Sequence, residues 1–464
     1  MEQEIKESMP ESNTNTLNTI SPFRGLGGGG YYSTNNLSTR VSFQEAVFNS
    51  MPQDKGLYMP VNIPRLPDSF FEQLPNYTLP QIAFEIAKHL LVDTIPEHDL
   101  KALIEDAINF EAPIVELEKD VYVLELFHGP SLAFKDFGAR FMSRVMSYFL
   151  QEGEKQLDVL VATSGDTGGA VALGFLGVPN TRVTILYPKG KVSDIQELQL
   201  TTNGQNIRAV TVDGTFDDCQ ALVKQAFVDD ELNAAFRLTS ANSINIARLI
   251  PQTFYYFNAY AQLLRAGKSK VAFCVPSGNF GNIGAGLLAW KMGLPVAQFI
   301  AATNANDTVP AFLKSGIYEP KASVQTIANA MDVGNPSNWV RIAELFKHDA
   351  AGLINLLTGY TYTDEQTREA IQQVFDRYNY VVCPHTAIAW RALKEWQQQH
   401  THTTGVFLAT AHPCKFPNVF PDKIAAGIIV PQQVKELENK EKHAVDLGKD
   451  FEGFKNYLFS NIQA

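Results

Sequence analysis

From residue 121 onward, short apolar stretches alternate with longer segments in which apolar residues recur at helical spacing. The short stretches are rich in Val, Ile and Leu and lack polar alternation, which is typical of strands buried on both faces of a sheet. The longer segments have the period of amphipathic helices. Strands that alternate with helices form parallel βαβ units, so the pattern predicts an α/β fold with open, mostly parallel sheets and flanking helices.

The predicted strands are residues 121–127, 158–163, 183–188, 207–214, 270–276 and 296–304. The predicted helices are residues 80–91, 134–150, 166–177, 193–202, 216–229 and a segment that begins near residue 282. Ligands of such sheets bind beyond the carboxyl ends of the strands, so we expect the functional residues where strands run into helices.

The two ends of the chain differ from this pattern. Residues 1–30 end in SPFRGLGGGG and are predicted to be a flexible leader, and residues 31–110 form a mixed, helix-leaning N-terminal subdomain. The charged segment VKELENKEKH, residues 434–443, predicts a solvated helix in the C-terminal tail.

Composition excludes several classes of protein. The 464 residues favour two or three domains, and the net charge of −11 comes without a basic patch, which argues against a nucleic-acid partner. No apolar run is long enough to span a membrane, and the acidic N-terminus does not resemble a signal peptide. The four cysteines form no C-x-x-C pair, which fits a reducing compartment, so we expect a soluble cytoplasmic protein without a membrane partner.

The motif SGDTGG follows the predicted strand 158–163 and opens the next helix. Thr163, Ser164 and Thr167 offer hydroxyl groups, and the helix N-terminus offers free N–H groups to an anion. A tight turn with Asp166 near the helix start explains the same residues. From this motif alone, the two interpretations are equally supported.

A second glycine-rich motif, PSGNFGNIGAG, follows the predicted strand 270–276. The loop of residues 277–282 could surround a phosphate with backbone N–H groups, or it could be only a glycine-rich turn. Gly284, Gly286 and Ala289 match a dinucleotide fingerprint as a string, but they fall inside the predicted helix. The motif lacks the G-K-[ST] ending of nucleotide-triphosphate loops, so a kinase or ATPase is disfavoured.

Lys135 lies in the first turn of a predicted helix, between Phe134 and Phe137. The positive end of the helix dipole and burial would both lower the pKa of its amine, and a neutral amine can attack an aldehyde. A surface lysine or an ion pair with Asp136 would explain it more simply. An amine and a phosphate-binding loop on one sheet edge together indicate pyridoxal phosphate, which carries an aldehyde at one end and a phosphate at the other.

Eight motifs together resemble the bacterial and fungal branch of the threonine synthase family. In chain order they are ELFHGPSLAFKDFGARFM, ATSGDTGGAVA, ILYPKGKVS, SANSINIARL, VPSGNFGN, ATNANDTVP, NAMDVGNPSNW and TAHPCKF, and they lie within residues 125–416. Ser131 departs from the Thr associated with that position and keeps the hydroxyl.

The resemblance implies the tryptophan-synthase-β-like architecture of fold type II pyridoxal-phosphate enzymes. It implies a large cofactor-binding domain made of residues 111–155 and 266–430, a small α/β domain of residues 156–265, and a helical tail of residues 431–464. It further implies a monomer or a homodimer without a metal site.

The resemblance also implies roles for individual residues. Lys135 would bind pyridoxal phosphate covalently and act as the catalytic base, and Thr410 would place a hydroxyl near the ring nitrogen. The cofactor phosphate would be held by Ser277, Gly278, Asn279, Phe280, Gly281 and Asn282. The substrate carboxylate would be bound by Thr163, Ser164, Asp166 and Thr167, and the substrate phosphate by Asn242, Ser243, Asn245, Arg248 and Lys415.

The activity implied is the conversion of O-phospho-L-homoserine and water into L-threonine and phosphate. Three alternatives remain open. Another fold type II lyase, such as a serine or threonine dehydratase, would need no second phosphate site. A non-catalytic protein that retains the cofactor would release no phosphate, and a dehydrogenase would bind a nicotinamide dinucleotide.

Overall fold

The computed structural model describes residues 30–91, 94–150 and 154–460. Every strand and helix predicted above is present, and outside the C-terminal tail the bounds differ from the predicted ones by three residues or fewer. The period of the apolar residues therefore identifies these elements correctly.

In the described part of the chain the strands are β1 (Tyr31–Ser33), β2 (Tyr58–Pro60), β3 (Ile114–Glu118), β4 (Val121–Glu125), β5 (Leu157–Ala162), β6 (Thr181–Pro188), β7 (Ile207–Val212), β8 (Arg237–Ser240), β9 (Val271–Pro276), β10 (Val296–Thr303), β11 (Leu357–Thr361), β12 (Thr404–Ala409) and β13 (Val445–Leu447).

The helices of the same residues are α1 (Phe43–Asn49), α2 (Asp68–Gln73), α3 (Leu79–Leu90), α4 (Glu97–Ala107), α5 (Lys135–Phe149), α6 (Asp166–Phe175), α7 (Asp194–Thr201), α8 (Phe216–Ala226), α9 (Asp230–Ala235), α10 (Ile246–Leu249), α11 (Gln252–Arg265), α12 (Gly281–Lys291), α13 (Thr308–Ser315), α14 (Trp339–Leu345), α15 (Ala350–Leu356), α16 (Asp364–Tyr378), α17 (Pro384–Gln397), α18 (Asp422–Ala425), α19 (Gln432–Glu438) and α20 (Phe451–Ser460). Short 3₁₀-helices occur at Leu74–Asn76, Asn329–Met331, Pro413–Lys415 and Pro417–Val419.

Two open sheets carry the fold. The larger has the order β11-β10-β9-β12-β4-β3 and is parallel except for the antiparallel pair of β3 and β4. The smaller has the order β13-β7-β6-β5-β8 and is parallel throughout. The prediction of open, mostly parallel sheets with flanking helices is confirmed. β1 and β2 form a separate antiparallel pair in the N-terminal part of the chain.

One hydrophobic core lies between the two sheets, and a second layer covers the outer face of each. In β5, Val159 and Val161 belong to the shared core, whereas Leu160 and Ala162 belong to a cluster that includes residues of α8 and α20. The residues of β4 alternate in the same way: Tyr122 belongs to the shared core, whereas Val123 belongs to the cluster on the outer face of the larger sheet. Burial on both faces explains why these strands show no polar alternation.

The C-terminal tail differs from the solvated charged helix that the sequence predicts. α19 ends at Glu438, its side chains Val434 and Leu437 are buried, β13 pairs with β7, and α20 buries Phe454 in the outer cluster of the smaller sheet. The charged side chains of α19 are exposed as predicted, so the prediction was wrong only in extending the helix to residue 443 and in leaving its apolar face in solvent.

The division of the chain into a large and a small domain stays a prediction. Helix α11, which falls in the segment assigned to the small domain, packs against α3 and α12 rather than against the smaller sheet. Within the described residues, no helix has both the length and the apolar character that crossing a membrane requires.

Replacing Phe454 by Ala tests whether the tail is part of the folded core. Phe454 is fully buried in the cluster that covers the smaller sheet. Loss of a buried aromatic ring leaves a cavity, so we expect the free energy of unfolding to fall by about 3 kcal/mol in denaturant titration. Asn456→Ala, at an exposed position of the same helix, should change the stability by less than about 0.5 kcal/mol. Equal stabilities of the two variants would contradict a docked tail.

Candidate active site

Lys135 is the first residue of α5 and lies beyond the carboxyl end of β4. The segment before it is held to the end of β12, because the N–H of Phe134 donates to the carbonyl of Thr410 at 2.9 Å. The Lys135 side chain is only 16% exposed, and its Nζ lies 3.8 Å from Asp166 Oδ2. Burial lowers the pKa of the Lys135 amine, while Asp166 opposes that shift. The surface-lysine interpretation is therefore wrong.

Asp136 is not the partner of Lys135 either. Its Oδ2 accepts a hydrogen bond from the N–H of Ser131 at 2.9 Å, and the side chain is buried against Gly129. Burial raises the pKa of Asp136 to about 6. The acidic neighbour that pairs with Lys135 is therefore one distant in sequence, Asp166.

The loop after β9 presents a row of backbone donors to the cavity. Phe280, the residue before α12, has a left-handed φ of 57°, which curls the loop into a concave nest. The N–H groups of residues 278–283 have no acceptor within the described ranges. Gly278 lies so close to the 3₁₀-helix Asn329–Met331 that a Cβ would stand 2.6 Å from Met331 Cα. The loop can therefore bind an anion, and it requires glycine at this position.

The SGDTGG loop after β5 shows both features that its sequence left open. The Thr163 hydroxyl accepts hydrogen bonds from the N–H groups of Gly165 and Gly168, so it stabilises the turn into α6. The N–H groups of Ser164, Asp166 and Thr167 have no acceptor in the part of the chain that the structure describes. A structural turn and a free anion-binding helix start therefore coexist here.

One cavity brings these elements together. It encloses about 1020 Å³ of empty space, part of it open to solvent. The expected site residues that line it are Lys135, Thr163, Ser164, Asp166, Thr167, Asn242, Ser243, Arg248, Ser277, Gly278, Asn279, Phe280, Gly281, Asn282 and Thr410.

Two expected residues do not line the cavity, Asn245 and Lys415. The Asn245 amide is used within the protein, because it donates to the carbonyls of Val47 and Ser240 and its Oδ1 accepts from the N–H of Ala247. The Lys415 ammonium is fully buried and contacts Asp166 Oδ1 at 2.7 Å. The structure therefore does not place these two residues where a substrate phosphate would bind.

Arg248 is a buried guanidinium on the cavity wall without a carboxylate partner among the described residues. One of its terminal nitrogens donates to the carbonyl of Ala241 at 2.5 Å, and its Nε has no partner. Burial lowers its pKa to about 10, so it remains charged at neutral pH. An unpaired buried cation beside a cavity favours an anionic ligand.

The sequence analysis missed His385, which lies in the cavity wall at the start of α17. Its Nε2 accepts a hydrogen bond from the N–H of Ala330 at 3.2 Å, and burial lowers its pKa to about 4. His385 is therefore neutral at pH 7 and holds the 3₁₀-helix that packs on Gly278. Its hydrogen-bond partner, Ala330, is distant in the chain, so no local sequence pattern identifies His385 as a site residue.

These residues fit pyridoxal phosphate. The nest of residues 278–283 offers donors to a phosphate, and Lys135 offers a buried amine in the same cavity. Thr410, which follows β12, lines the cavity with a hydroxyl group. Among the described residues, no group of His, Cys, Asp and Glu side chains could hold a metal ion.

Comparison with known proteins agrees with this fit. The family model described as threonine synthase N terminus matches residues 30–108, the pyridoxal-phosphate dependent enzyme model matches residues 108–410, and the threonine synthase C-terminal model matches residues 386–458. The threonine synthase of Escherichia coli is 42% identical, over 93% of this chain and 99% of that protein. The chain belongs to the threonine synthase family.

Further members of the family are similar over the same length. The threonine synthase of Haemophilus influenzae is 43% identical over 93% of this chain and 99% of its own. The Escherichia coli crystal structure superposes with a TM-score of 0.87 over 93% of this chain and all of that one. A structure of threonine synthase from Brucella melitensis with bound pyridoxal phosphate is 33% identical and superposes with a TM-score of 0.85, over 94% of this chain and 100% of that one.

The family expected from the motifs is thus confirmed, and so are the fold class and pyridoxal phosphate as the cofactor. The chain is a pyridoxal-phosphate-dependent enzyme that acts on a small molecule.

Gly278→Ala tests the phosphate nest. A Cβ at this position would meet the Met331 backbone at 2.6 Å, so either the loop or the 3₁₀-helix must move. Such overpacking costs about 1–3 kcal/mol, and we expect the dissociation constant of pyridoxal phosphate to rise about tenfold to a hundredfold in equilibrium dialysis. Gly427→Ala, where the nearest atom lies at 3.5 Å, is the matched control and should bind the cofactor as the parent does. Unchanged affinity in Gly278→Ala would exclude this loop as the nest.

Proposed function

We propose that the chain converts O-phospho-L-homoserine and water into L-threonine and phosphate. The observation that carries this proposal is the presence of two anion-binding features beside one amine in a single cavity. These features are the nest of residues 278–283 and the unpaired guanidinium of Arg248, and the amine is that of Lys135. The nest would hold the phosphate of the cofactor, so a substrate that carries its own phosphate would need Arg248 as a second binding group.

Lys135 is the group that moves protons in this proposal. Pyridoxal phosphate, when bound, acts as a sink for electrons from the α-carbon of an amino acid. The Lys135 amine takes the proton from that carbon, and its lowered pKa brings it closer to the working pH, where proton transfer is most efficient. Asp166 stabilises the ammonium that results, because its carboxylate lies 3.8 Å from the nitrogen.

The substrate anions are bound by two different kinds of group. The free N–H groups of Ser164 and Thr167 at the start of α6 suit a carboxylate, because the helix dipole favours negative charge there. Arg248 suits the phosphate, because a guanidinium donates two parallel hydrogen bonds. Asn242 and Ser243 lie between the carboxyl end of β8 and Arg248 in the chain, and they line the cavity together with Arg248.

Asn242 and Ser243 are held in place by their own hydrogen bonds. The Asn242 amide donates to the carbonyl of Ala162 at 2.7 Å. The Ser243 hydroxyl accepts from Asn279 Nδ2 at 2.6 Å and from Asn338 Nδ2 at 3.1 Å. The wall that we assign to the substrate is therefore joined directly to the loop that we assign to the cofactor phosphate.

A serine or threonine dehydratase is the alternative with the same cofactor. Its substrates carry no phosphate, so a dehydratase would not need the Arg248 guanidinium, which is buried without a carboxylate partner among the described residues. Lys415 does not distinguish the two activities, because its ammonium contacts Asp166 and it does not line the cavity. The distinction depends on Arg248.

The setting of the enzyme is also a proposal. The four cysteines are free and buried, which fits a reducing compartment such as the cytoplasm. A monomer or a homodimer stays a prediction.

Lys135→Ala should abolish the formation of threonine. Removal of the proton-carrying amine is expected to lower kcat by at least about a thousandfold, measured by phosphate release from O-phospho-L-homoserine. In the parent, kcat should rise with pH through the pKa of the Lys135 amine, because only the neutral amine accepts a proton and the amine is free of the cofactor only after substrate has bound. Lys119→Ala, at an exposed position, should retain full activity.

Borohydride reduction of the parent followed by mass mapping gives an independent test of the same residue. We expect the cofactor to be fixed to Lys135. A label on another lysine would overturn the assignment even if the variant were inactive.

Arg248→Met should weaken substrate binding selectively. Loss of charged hydrogen bonds to a phosphate, worth about 1.5–3 kcal/mol, is expected to raise KM for O-phospho-L-homoserine by tenfold or more while the affinity for pyridoxal phosphate stays within twofold. Arg248→Lys should recover part of the loss, and thermal melting checks that each variant folds. An unchanged KM, or release of 2-oxobutyrate from threonine at the rate of phosphate release, would favour the dehydratase.

A further inference from the structure

Three charges lie in a buried row beside the cavity, Lys415, Asp166 and Lys135. Lys415 Nζ lies 2.7 Å from Asp166 Oδ1, and Lys135 Nζ lies 3.8 Å from Asp166 Oδ2. The side chains of Lys415 and Asp166 are 0% and 3% exposed. The carboxylate therefore stands between two ammonium groups, one at the cavity and one behind it.

The ends of the row belong to different sheets. Asp166 begins α6, next to β5 of the smaller sheet, whereas Lys415 follows β12 and Lys135 follows β4 of the larger sheet. The row thus crosses the boundary between the sheets at the edge where the cavity lies. Any shift of one sheet against the other would change the two distances.

Hydrogen bonds from α7 hold the row in place. Gln196 Nε2 donates to Asp166 Oδ1 at 2.9 Å, and the Ser193 hydroxyl donates to the carbonyl of Lys415 at 2.6 Å. Lys415 Nζ also donates to the carbonyl of Ser131 at 2.9 Å, which accepts from Gln199 Nε2 as well. Every member of this set is in a defined position, so the carboxylate has little freedom to turn away from Lys135.

Lys415 has no substrate to bind at this position, so its charge needs another explanation. A fully buried ammonium is costly unless a carboxylate and further acceptors offset its lost hydration. Here one carboxylate serves two ammonium groups, so Asp166 remains ionised even though it is buried. The two lysines hold the pKa of Asp166 well below its usual range, against the effect of burial.

We propose that Lys415 is a positioning residue for Lys135: by holding Asp166 from behind, it directs the carboxylate at the Lys135 amine and limits how strongly that amine retains a proton. Asp166 alone would favour a charged lysine, and Lys415 competes for the same carboxylate. The inference depends on the proposed role of Lys135 as the proton carrier.

The charged and titratable groups around Lys135 come from several elements. Asp166 of α6 faces it with a negative charge, and Lys415 and Arg248 face it with positive charges. The Cys383 thiol and the His385 imidazole are the other titratable neighbours, and both are neutral at pH 7 because burial raises the thiol pKa and lowers the imidazole pKa. Removal of Asp166 and removal of Lys415 should therefore change the proton affinity of Lys135 in opposite directions.

The test measures the proton affinity of Lys135 directly, in the full-length chain freed of cofactor and without substrate. The rate of reductive methylation of Lys135 by formaldehyde and cyanoborohydride is followed as a function of pH by peptide mass mapping, since only the neutral amine reacts. Asp166→Asn should lower the pH at which the methylation rate of Lys135 is half-maximal, its midpoint, by about one pH unit or more. Lys415→Met should move it up by a similar amount.

Asp166→Asn leaves Lys415 buried without a counter-charge and can fail to fold, so the double variant Asp166→Asn/Lys415→Met is part of the test. The double variant removes both charges, and its midpoint should lie between those of the single variants. Lys442→Met, which breaks an exposed pair with Glu197, is the matched control and should leave the midpoint unchanged. If Asp166→Asn does not fold, two results test the inference: the midpoint should be higher in Lys415→Met than in the parent, and it should be lower in the double variant than in Lys415→Met.

Equal midpoints in all variants, or shifts of the two single variants in the same direction, would overturn the inference. If Lys415 had a purely structural role, the midpoints of Asp166→Asn and Lys415→Met would shift in the same direction or not at all. In the holoenzyme the pH titration of the visible absorbance should show the same order of midpoints. Failure of the proposed reaction would appear separately, as a parent enzyme that releases no phosphate from O-phospho-L-homoserine.

Discussion

The Lys135 amine is kept largely out of water beside one carboxylate, and the rest of the site depends on this contact. Burial favours the neutral amine, whereas Asp166 at 3.8 Å favours the ammonium. A group that must accept and release a proton in one cycle needs both influences. The fold supplies them from different sheets, because Lys135 follows a strand of the larger sheet and Asp166 follows a strand of the smaller one.

In the proposed reaction, the anions are bound mainly by backbone N–H groups rather than by lysines. The starts of α6 and α12 both open into the cavity, and each has donors without acceptors in the described chain. Backbone donors carry no charge to desolvate and keep their direction, so they bind phosphate or carboxylate without disturbing the proton balance of Lys135. Arg248 is the exception, and it adds charge where we place the substrate phosphate.

Much of the architecture could be predicted from the sequence. Segments such as residues 158–163 and 270–276 have an apolar run that ends in small and polar residues, and this local pattern already identifies a buried strand followed by a ligand-binding turn. The loop of residues 277–282 likewise follows a predicted strand and lines the cavity, whereas Thr410 was expected only from the family resemblance, because the strand before it was not predicted. The strand β13 of the tail was not predicted, because it gains stability only from pairing with β7, a contact that no local pattern records.

The sequence by itself determined the six strands and six helices with a clear hydrophobic period and the turns between them, because these depend on residues that are neighbours in the chain. Only the tertiary structure decided which polar groups remain available to a ligand. Lys415 and Asn245 have their polar atoms engaged by Asp166 and Val47, whereas Arg248 lines the cavity without a carboxylate partner among the described residues. Each of these outcomes depends on a partner that only folding brings within hydrogen-bond distance, so no motif could reveal it.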